Sequence, residues 1–348
     1  MKKMISSVWA ALCLAACVTG CTPPPMPSAI IEIGNAGQLA GISSNMNGKY
    51  RLTQNITVGS WLPLGLDTNP FTGELDGNGY TITINSFSAT ENASAGIAYY
   101  GLFGYIKGGK VHHLKVSGTS LSRTSDKTLQ LGAIVGCLEG GSIEQCISDV
   151  ALMGSGSSIT QNSLVGGIAG NVFGSGVIKN CYSLKSVTAG KGTNGAGTAI
   201  AGGIAGGLYG GVVSECYAAG QANTLALAPP PNGTAYAGGI VGYCTSVGAD
   251  LGKVSRCIAV NAGITAGAAT TYVHRVVGGS SSASISNNYA LIGLPIGPTP
   301  AQNGTDITEE LLKFSHNWTM SPLSWSTSIW NFDHLSTGYP LLRNVGTL

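Results

Sequence analysis

The chain has 348 residues, 53 of them glycine; 43% are hydrophobic, only 9% are charged, and the formal net charge is +2. This balance excludes a disordered chain, which combines low hydrophobicity with high charge, and it offers no basic surface for nucleic acid. The glycines lack the three-residue period of collagen, and the longest apolar stretch, at the N-terminus, is too short and too broken to span a bilayer.

Lys2 and Lys3 followed by the apolar run from Met4 to Ala16 read as a secretory signal. Two overlapping strings, Leu14-Ala15-Ala16-Cys17 and Val18-Thr19-Gly20-Cys21, resemble the bacterial lipobox, whose cysteine is acylated and becomes the new N-terminus. Cys21 is preferred and Cys17 is the alternative, because Thr22, three prolines and Met26-Pro27-Ser28 follow as a stiff extended spacer. Residues 1–20 are therefore expected to be a signal peptide and 21–29 a tether. Dual acylation plus any N-acylation supplies the two or more chains that stable anchoring needs, so the membrane is one expected partner. Cleavage would remove two of the 17 basic residues and leave as many as the 15 acidic ones.

Residues 30–100 are expected to form N-terminal capping rungs, 101–304 a repeat array, and 305–348 a C-terminal cap. A glycine-bounded tetrad carries the repeat: Gly101 to Gly104, Ala133 to Gly136, Gly167 to Gly170, Gly203 to Gly206, Gly239 to Gly242, and the weaker Arg275 to Gly278. The closing glycines are 32, 34, 36, 36 and 36 residues apart. A second signature follows each tetrad and ends at Leu114, Cys146, Cys181, Cys216, Cys257 and Asn288. A fixed period of this size means a solenoid or a propeller, and a four-stranded propeller blade needs about 40 residues or more. Glycine at this density also excludes helical repeats, at about 1 kcal/mol per helix position. The expected fold is all-β: a parallel β-helix, taken as right-handed, of about six 32- to 36-residue coils, with a short helix at Asp306 to Phe314 capped by Thr305 or Asp306. Six rungs at about 4.8 Å stack to about 29 Å. Within the second signature a branched residue points in, the next points out, the third turns a left-handed bend, and the fourth points in. The bend column reads His113, Gln145, Asn180, Glu215, Arg256 and Asn287, and asparagine is the non-glycine residue that tolerates this conformation best.

The tetrad, closest to its ideal at Gly101-Leu102-Phe103-Gly104, resembles the GLUG repeat of bacterial surface and secreted proteins. The flanks are similar too: Tyr50 to Ile56, Trp61 to Gly65 and Phe71 to Gly79 resemble the leading segment of that family, and Trp330 with Tyr339-Pro340-Leu341-Leu342 its closing segment. The resemblance covers residue 30 to the end. It implies a β-helix on the bacterial surface and is nearly silent on chemistry, since fold does not imply function.

Cys146, Cys181, Cys216 and Cys257 are expected to stack as a column of small buried hydrophobes. Disulfides along that column, or Cys137–Cys146 and Cys244–Cys257 bridges within a rung, are the alternatives in an oxidising compartment. No cysteine or histidine string of metal-ligand spacing accompanies them, and no metal or cofactor is implied. His112 and His113 occupy outward and bend positions and read as solvated strand residues. A glycan-cleaving solenoid would need two carboxylates about 5 to 9 Å apart. The possible members are Glu74, Asp76, Asp126, Glu144 and Glu215. Glu144 and Lys179 share an outward column and read as a surface ion pair, and Asp76-Gly77-Asn78-Gly79 reads as a tight turn. Tyr182, Tyr217 and Tyr289 share a column that reads as a stabilising ladder. The leading expectation is a non-catalytic, lipid-anchored protein of the outer membrane or cell surface that binds an extracellular protein or glycan. A polysaccharide lyase or glycoside hydrolase, and a purely structural envelope protein, are its rivals.

Overall fold

The computed structural model describes residues 29–157, 161–191, 197–219, 223–227, 233–294 and 297–346. The expected signal peptide, with Cys17, Cys21 and all but the last residue of the tether, lies outside the described residues. Residues 31–348 form one compact unit, a parallel β-solenoid of about six turns.

Each full coil contributes to four walls, with the last wall's stretch split into two strands from the third coil on. In the second coil the strands are Thr128–Gly132, Val135–Glu139, Ser142–Glu144 and Ile147–Gly156. Each pairs in parallel with its counterpart in the coils on either side. Stacking gives four sheets of seven, six, nine and twelve strands, called walls A, B, C and D in the order of those four strands. The leading segment adds Ile30–Ile33, Lys49–Leu52 and Glu74–Asp76 to the start of wall C, and Ile56–Trp61 and Thr81–Phe87 to the start of wall D. Helix Ala36–Gly41, capped by the Asn35 side chain on the Gln38 amide, adds Leu39 to the common core. That core contains an inward column of Leu75, Val111, Ile143, Ile178, Val213 and Val254, all fully buried.

One left-handed residue joins wall C to wall D in every coil. His113, Gln145, Asn180, Glu215, Arg256 and Asn287 all have φ between 51° and 57°. Only two of the six are asparagine, so local preference does not set the bend. The backbone does: Gln145, Asn180 and Glu215 donate their amides to the next coil at 3.1 to 3.2 Å, and inward neighbours on both sides fix the turn. That packing outweighs the roughly 1–2 kcal/mol that a side chain costs in this conformation.

Walls A and B meet at the tetrad. Ile134, Ile168, Ile204 and Ile240 point into the core there. A Cβ on the closing glycine Gly170 would sit 2.3 Å from the Leu131 nitrogen, and one on Gly206 2.7 Å from the Val165 nitrogen, so wall B lies against the backbone of wall A. A further glycine column, Gly132, Gly166, Gly202 and Gly238, lies just before the tetrads and stacks in wall A. In the last coil His274 stands above Gly238 and Arg275 follows it. Among the described residues no seventh coil lies beyond, and Arg275 reaches Asp306 at 2.7 Å.

Two expectations about the C-terminus are corrected. Asp306 is not helical: Thr305–Ile307 pairs with Tyr289–Leu291 as a further strand of wall D, because the last coil offers an unpaired strand edge. The helix is confined to Glu309–Leu312, and Thr308 caps it by accepting the Leu311 amide at 3.3 Å. The segment after it does not only close the end; it runs back along wall D. Trp325 Nε1 donates to Arg256 O at 2.9 Å, Trp330 Nε1 to Asn180 Oδ1 at 3.2 Å, and the Gly346 amide to Gly79 O at 2.9 Å. Trp318, Trp325 and Trp330 thereby cover Ile147, Tyr182, Tyr217, Ile258 and Val260 in a second apolar core.

Candidate functional site

Wall C carries its charged residues on the outer face, one row per coil. Five of the expected carboxylates are paired there or nearby. Glu144 meets Lys110 at 3.9 Å, Glu215 meets Arg256 Nε at 3.2 Å and Lys179 at 3.6 Å, and Asp126 meets Lys127 at 2.9 Å. The expected Glu144–Lys179 pair is therefore corrected. The two residues are in register, but each side chain leans to the coil on its other side, and Lys179 joins the more buried Glu215.

Glu74 and Asp76 belong to a denser cluster with the two adjacent histidines. In a regular strand His112 and His113 would face opposite ways. The left-handed bend at His113 turns both rings to one side, with centroids 4.7 Å apart at 79°. Register places Asp76 beside His112 in the preceding coil, with Glu74 two residues earlier on the same face. His112 Nε2 lies 3.0 Å from Glu74 Oε1, His112 Nδ1 lies 2.9 Å from His113 Nδ1, and Asp76 Oδ1 lies 3.5 Å from the former Nδ1 and 3.3 Å from the latter. Arg51 holds the other Asp76 oxygen at 3.2 Å, and Lys49 the other Glu74 oxygen at 3.5 Å. The expectation of solvated histidines is corrected, since the His112 side chain is only 12% exposed.

Burial lowers the His112 pKa, against the pull of the Glu74 hydrogen bond and the Asp76 charge. Glu74 is lowered chiefly by the hydrogen bond from His112. Burial opposes ionisation of Asp76, but the Asn78 amide, His112, His113 and Arg51 together outweigh it and its pKa falls. The tight turn at Asp76 also forms, with the Asn78 amide 2.9 Å from Asp76 Oδ1 and left-handed φ at Asn78 and Gly79. Among the described residues, Asp76, His112 and His113 are the group whose ligand atoms converge at metal-ligand separation.

All six cysteines among the described residues are free and buried, so the bridging alternatives are not formed. Their column has a backbone task. The bend leaves the amide of the fourth signature residue pointing along the axis, and the sulfur one coil further on accepts it: Cys146 N to Cys181 Sγ and Cys181 N to Cys216 Sγ, both at 3.4 Å. Each thiol also donates to the carbonyl two residues back, at 3.1 to 3.4 Å. Asn288 ends the column and accepts the Cys257 amide at 2.9 Å. Burial pushes Cys137 and Cys244 up to about 12 and holds Cys181 and Cys257 well above the ordinary thiol value.

The outer faces of walls A and B close on each other at the tetrad corner as a seam. Gln130, Leu164 and Ile200 from wall A and Cys137 and Asn171 from wall B are buried along it. Gln130 Oε1 and Asn171 Oδ1 have no protein partner. Toward the C-terminal coils the seam becomes aromatic. Tyr236 and Tyr272 stack at 4.7 Å and 8°, Tyr243 stands edge-on to Tyr236 at 5.0 Å, and Tyr209 lies 5.9 Å from Tyr243. Tyr272, in the last strand of wall A, is 41% exposed, and Phe173, in register with Tyr209, is 39% exposed. No single spacing in the sequence marks this group, because its members come from different tetrad flanks. The tyrosine column expected from the sequence is Tyr182, Tyr217 and Tyr289. The first two do stack, at 4.7 Å, but Ile258 separates them from Tyr289 and the C-terminal cover hides them.

No protein-family model matches the chain, and no curated protein matches it. Among solved structures it is similar to a Bacteroides ovatus protein provisionally designated an immunoglobulin A1 protease, at 20% identity and a TM-score of 0.59, over 92% of this chain and 94% of that one. At that identity the likeness establishes the fold alone.

Proposed function

We propose that the chain is a non-catalytic binding solenoid, held in the bacterial envelope by a lipid on Cys21 and displayed at the cell surface, and that its ligand is an extracellular glycan or protein. The observation that carries the binding role is the aromatic end of the A–B seam. Tyr272 is stacked on Tyr236 on one side and still exposes much of its ring, next to Tyr243 and Tyr209. Rigid, stacked tyrosines present apolar area at low entropic cost while each hydroxyl remains a hydrogen-bonding group. That pairing suits the apolar faces and hydroxyl rims of sugar rings, and favours a glycan over a protein. The carboxylates a hydrolase would use are instead tied to lysine, arginine and histidine.

The test is a glycan array probed with the full chain, followed by titration of the best ligand against Tyr272→Ala and Tyr236→Ala. The expected result is a loss of about tenfold or more, equivalent to about 1.4 kcal/mol. Binding unchanged in both variants, or no glycan bound at all, would remove the glycan reading.

A further inference from the structure

We infer that Asp76, His112 and His113 form a binding site for a divalent transition-metal ion, Zn²⁺ being the ion that suits the donors, with Glu74 as the outer carboxylate that orients His112. The three candidate ligand atoms, Asp76 Oδ1, His112 Nδ1 and His113 Nδ1, lie 2.9, 3.3 and 3.5 Å from one another. A tetrahedral ion with bonds of 2.0–2.2 Å needs ligands roughly 3.3 Å apart, so an ion fits with shifts of a few tenths of an ångström. Two imidazoles and one carboxylate with an open fourth position make a donor set that zinc takes readily.

The proton count points the same way. Glu74 is an acceptor, so the N–H of His112 that faces it is Nε2–H, and His112 Nδ1 is left with a lone pair. Asp76 Oδ1 is also an acceptor; it takes the Asn78 amide at 2.9 Å and keeps a second lone pair on the histidine side. These two lone-pair atoms face each other across 3.5 Å, and the His113 ring has a single Nδ1–H to serve both. A cation between the three atoms satisfies all of them together.

The surroundings are built to hold the donors. A histidine ligand commonly gives its second N–H to a carboxylate, and Glu74 occupies that place. Arg51 and Lys49 take the outward oxygens of Asp76 and Glu74, so the inward oxygens face the histidines. The bend residue of every other coil follows a residue that is not histidine, namely Glu144, Lys179, Ser214, Ser255 or Ser286, so the arrangement belongs to this coil alone. The His113 side chain is 36% exposed, which leaves the fourth position open to solvent.

The experiment titrates Zn²⁺ into the full chain, extracted in detergent and carrying no histidine tag, by calorimetry, and repeats it with Co²⁺ while recording visible absorption. The expected result is one ion per chain with a Kd of about micromolar or tighter, and a tetrahedral Co²⁺ spectrum without thiolate charge-transfer bands. His112→Ala and His113→Ala are expected to abolish binding. Glu74→Gln, which keeps the shape of the side chain, is expected to weaken binding about 10- to 100-fold. Far-UV circular dichroism checks that the variants keep the solenoid. Absence of Zn²⁺ binding by the unaltered chain, undiminished binding by folded His112→Ala and His113→Ala, or a thiolate-type Co²⁺ spectrum would each overturn the assignment.

Discussion

Gly202→Ala tests the physics of the A–B corner. A Cβ on Gly202 would stand 1.9 Å from Ala205 O of its own coil and 2.6 Å from the Gly242 nitrogen of the next. Both are backbone atoms, and an ordinary contact needs about 3.4 Å or more, so the corner must open by more than 1 Å against a stack that fixes it on both sides. Overpacking of a well-packed core costs typically 1–3 kcal/mol, occasionally more. With two backbone clashes the expected loss is about 3 kcal/mol, and at about 2–4 °C per kcal/mol the melting temperature should fall by about 6–12 °C. Gly59→Ala is the control, since a Cβ there meets nothing within 4 Å and the backbone is not left-handed; it should be neutral or stabilise by up to about 1 kcal/mol. Thermal unfolding followed by circular dichroism reads both. A Gly202→Ala melting temperature equal to that of the unaltered chain would refute the steric account of the corner.

Further outcomes follow from other features. Native protein should leave Cys137, Cys146, Cys181, Cys216, Cys244 and Cys257 unreactive toward a thiol reagent and expose all six on denaturation without reductant; fewer would mean bridges. Burial lowers the His274 pKa, its Nδ1 donates to Gly278 O at 2.7 Å, and its Nε2 accepts the Thr299 amide at 3.4 Å. Its contribution to stability should therefore be fully present above the unfolded value of about 6.5 and be lost as pH falls through the lower folded value. Melting temperatures between pH 7.5 and 5 should show that slope, and His274→Asn should flatten it. Trp330→Ala should cost about 3–5 kcal/mol and loosen the cover, so that Tyr182 and Tyr217 become accessible to a fluorescence quencher while the solenoid's circular dichroism persists; loss of the whole fold would show that the cover is integral to the stack.

The repeat and its parallel stacking were legible because two landmarks recur in register, and a solenoid turns register directly into columns. The bend column was legible in position but not in chemistry, since Glu215 and Arg256 adopt the same φ as Asn180. The histidine cluster was within reach of the same reasoning. Gly77 precedes His113 by 36 residues, the period of the later coils, and that offset sets Asp76 beside His112. Asp76 to Gly79 has the local signature of a tight turn, which masks its place as the bend that precedes the array. The C-terminal cover was not legible, because Trp318, Trp325 and Trp330 have no repeat register and nothing in their spacing says which wall they meet.

The proposal that Cys21 anchors the solenoid at the cell surface, where the tyrosine seam meets an extracellular ligand, is tested most directly by labelling intact cells with a membrane-impermeant amine reagent. Lys49, Lys107, Lys253 and Lys313 are exposed and would report. Surface display predicts equal labelling of the chain on intact and lysed cells, with a periplasmic control labelled only on lysis, and loss of cell-associated label in Cys21→Ala. Labelling that begins only on lysis would contradict it.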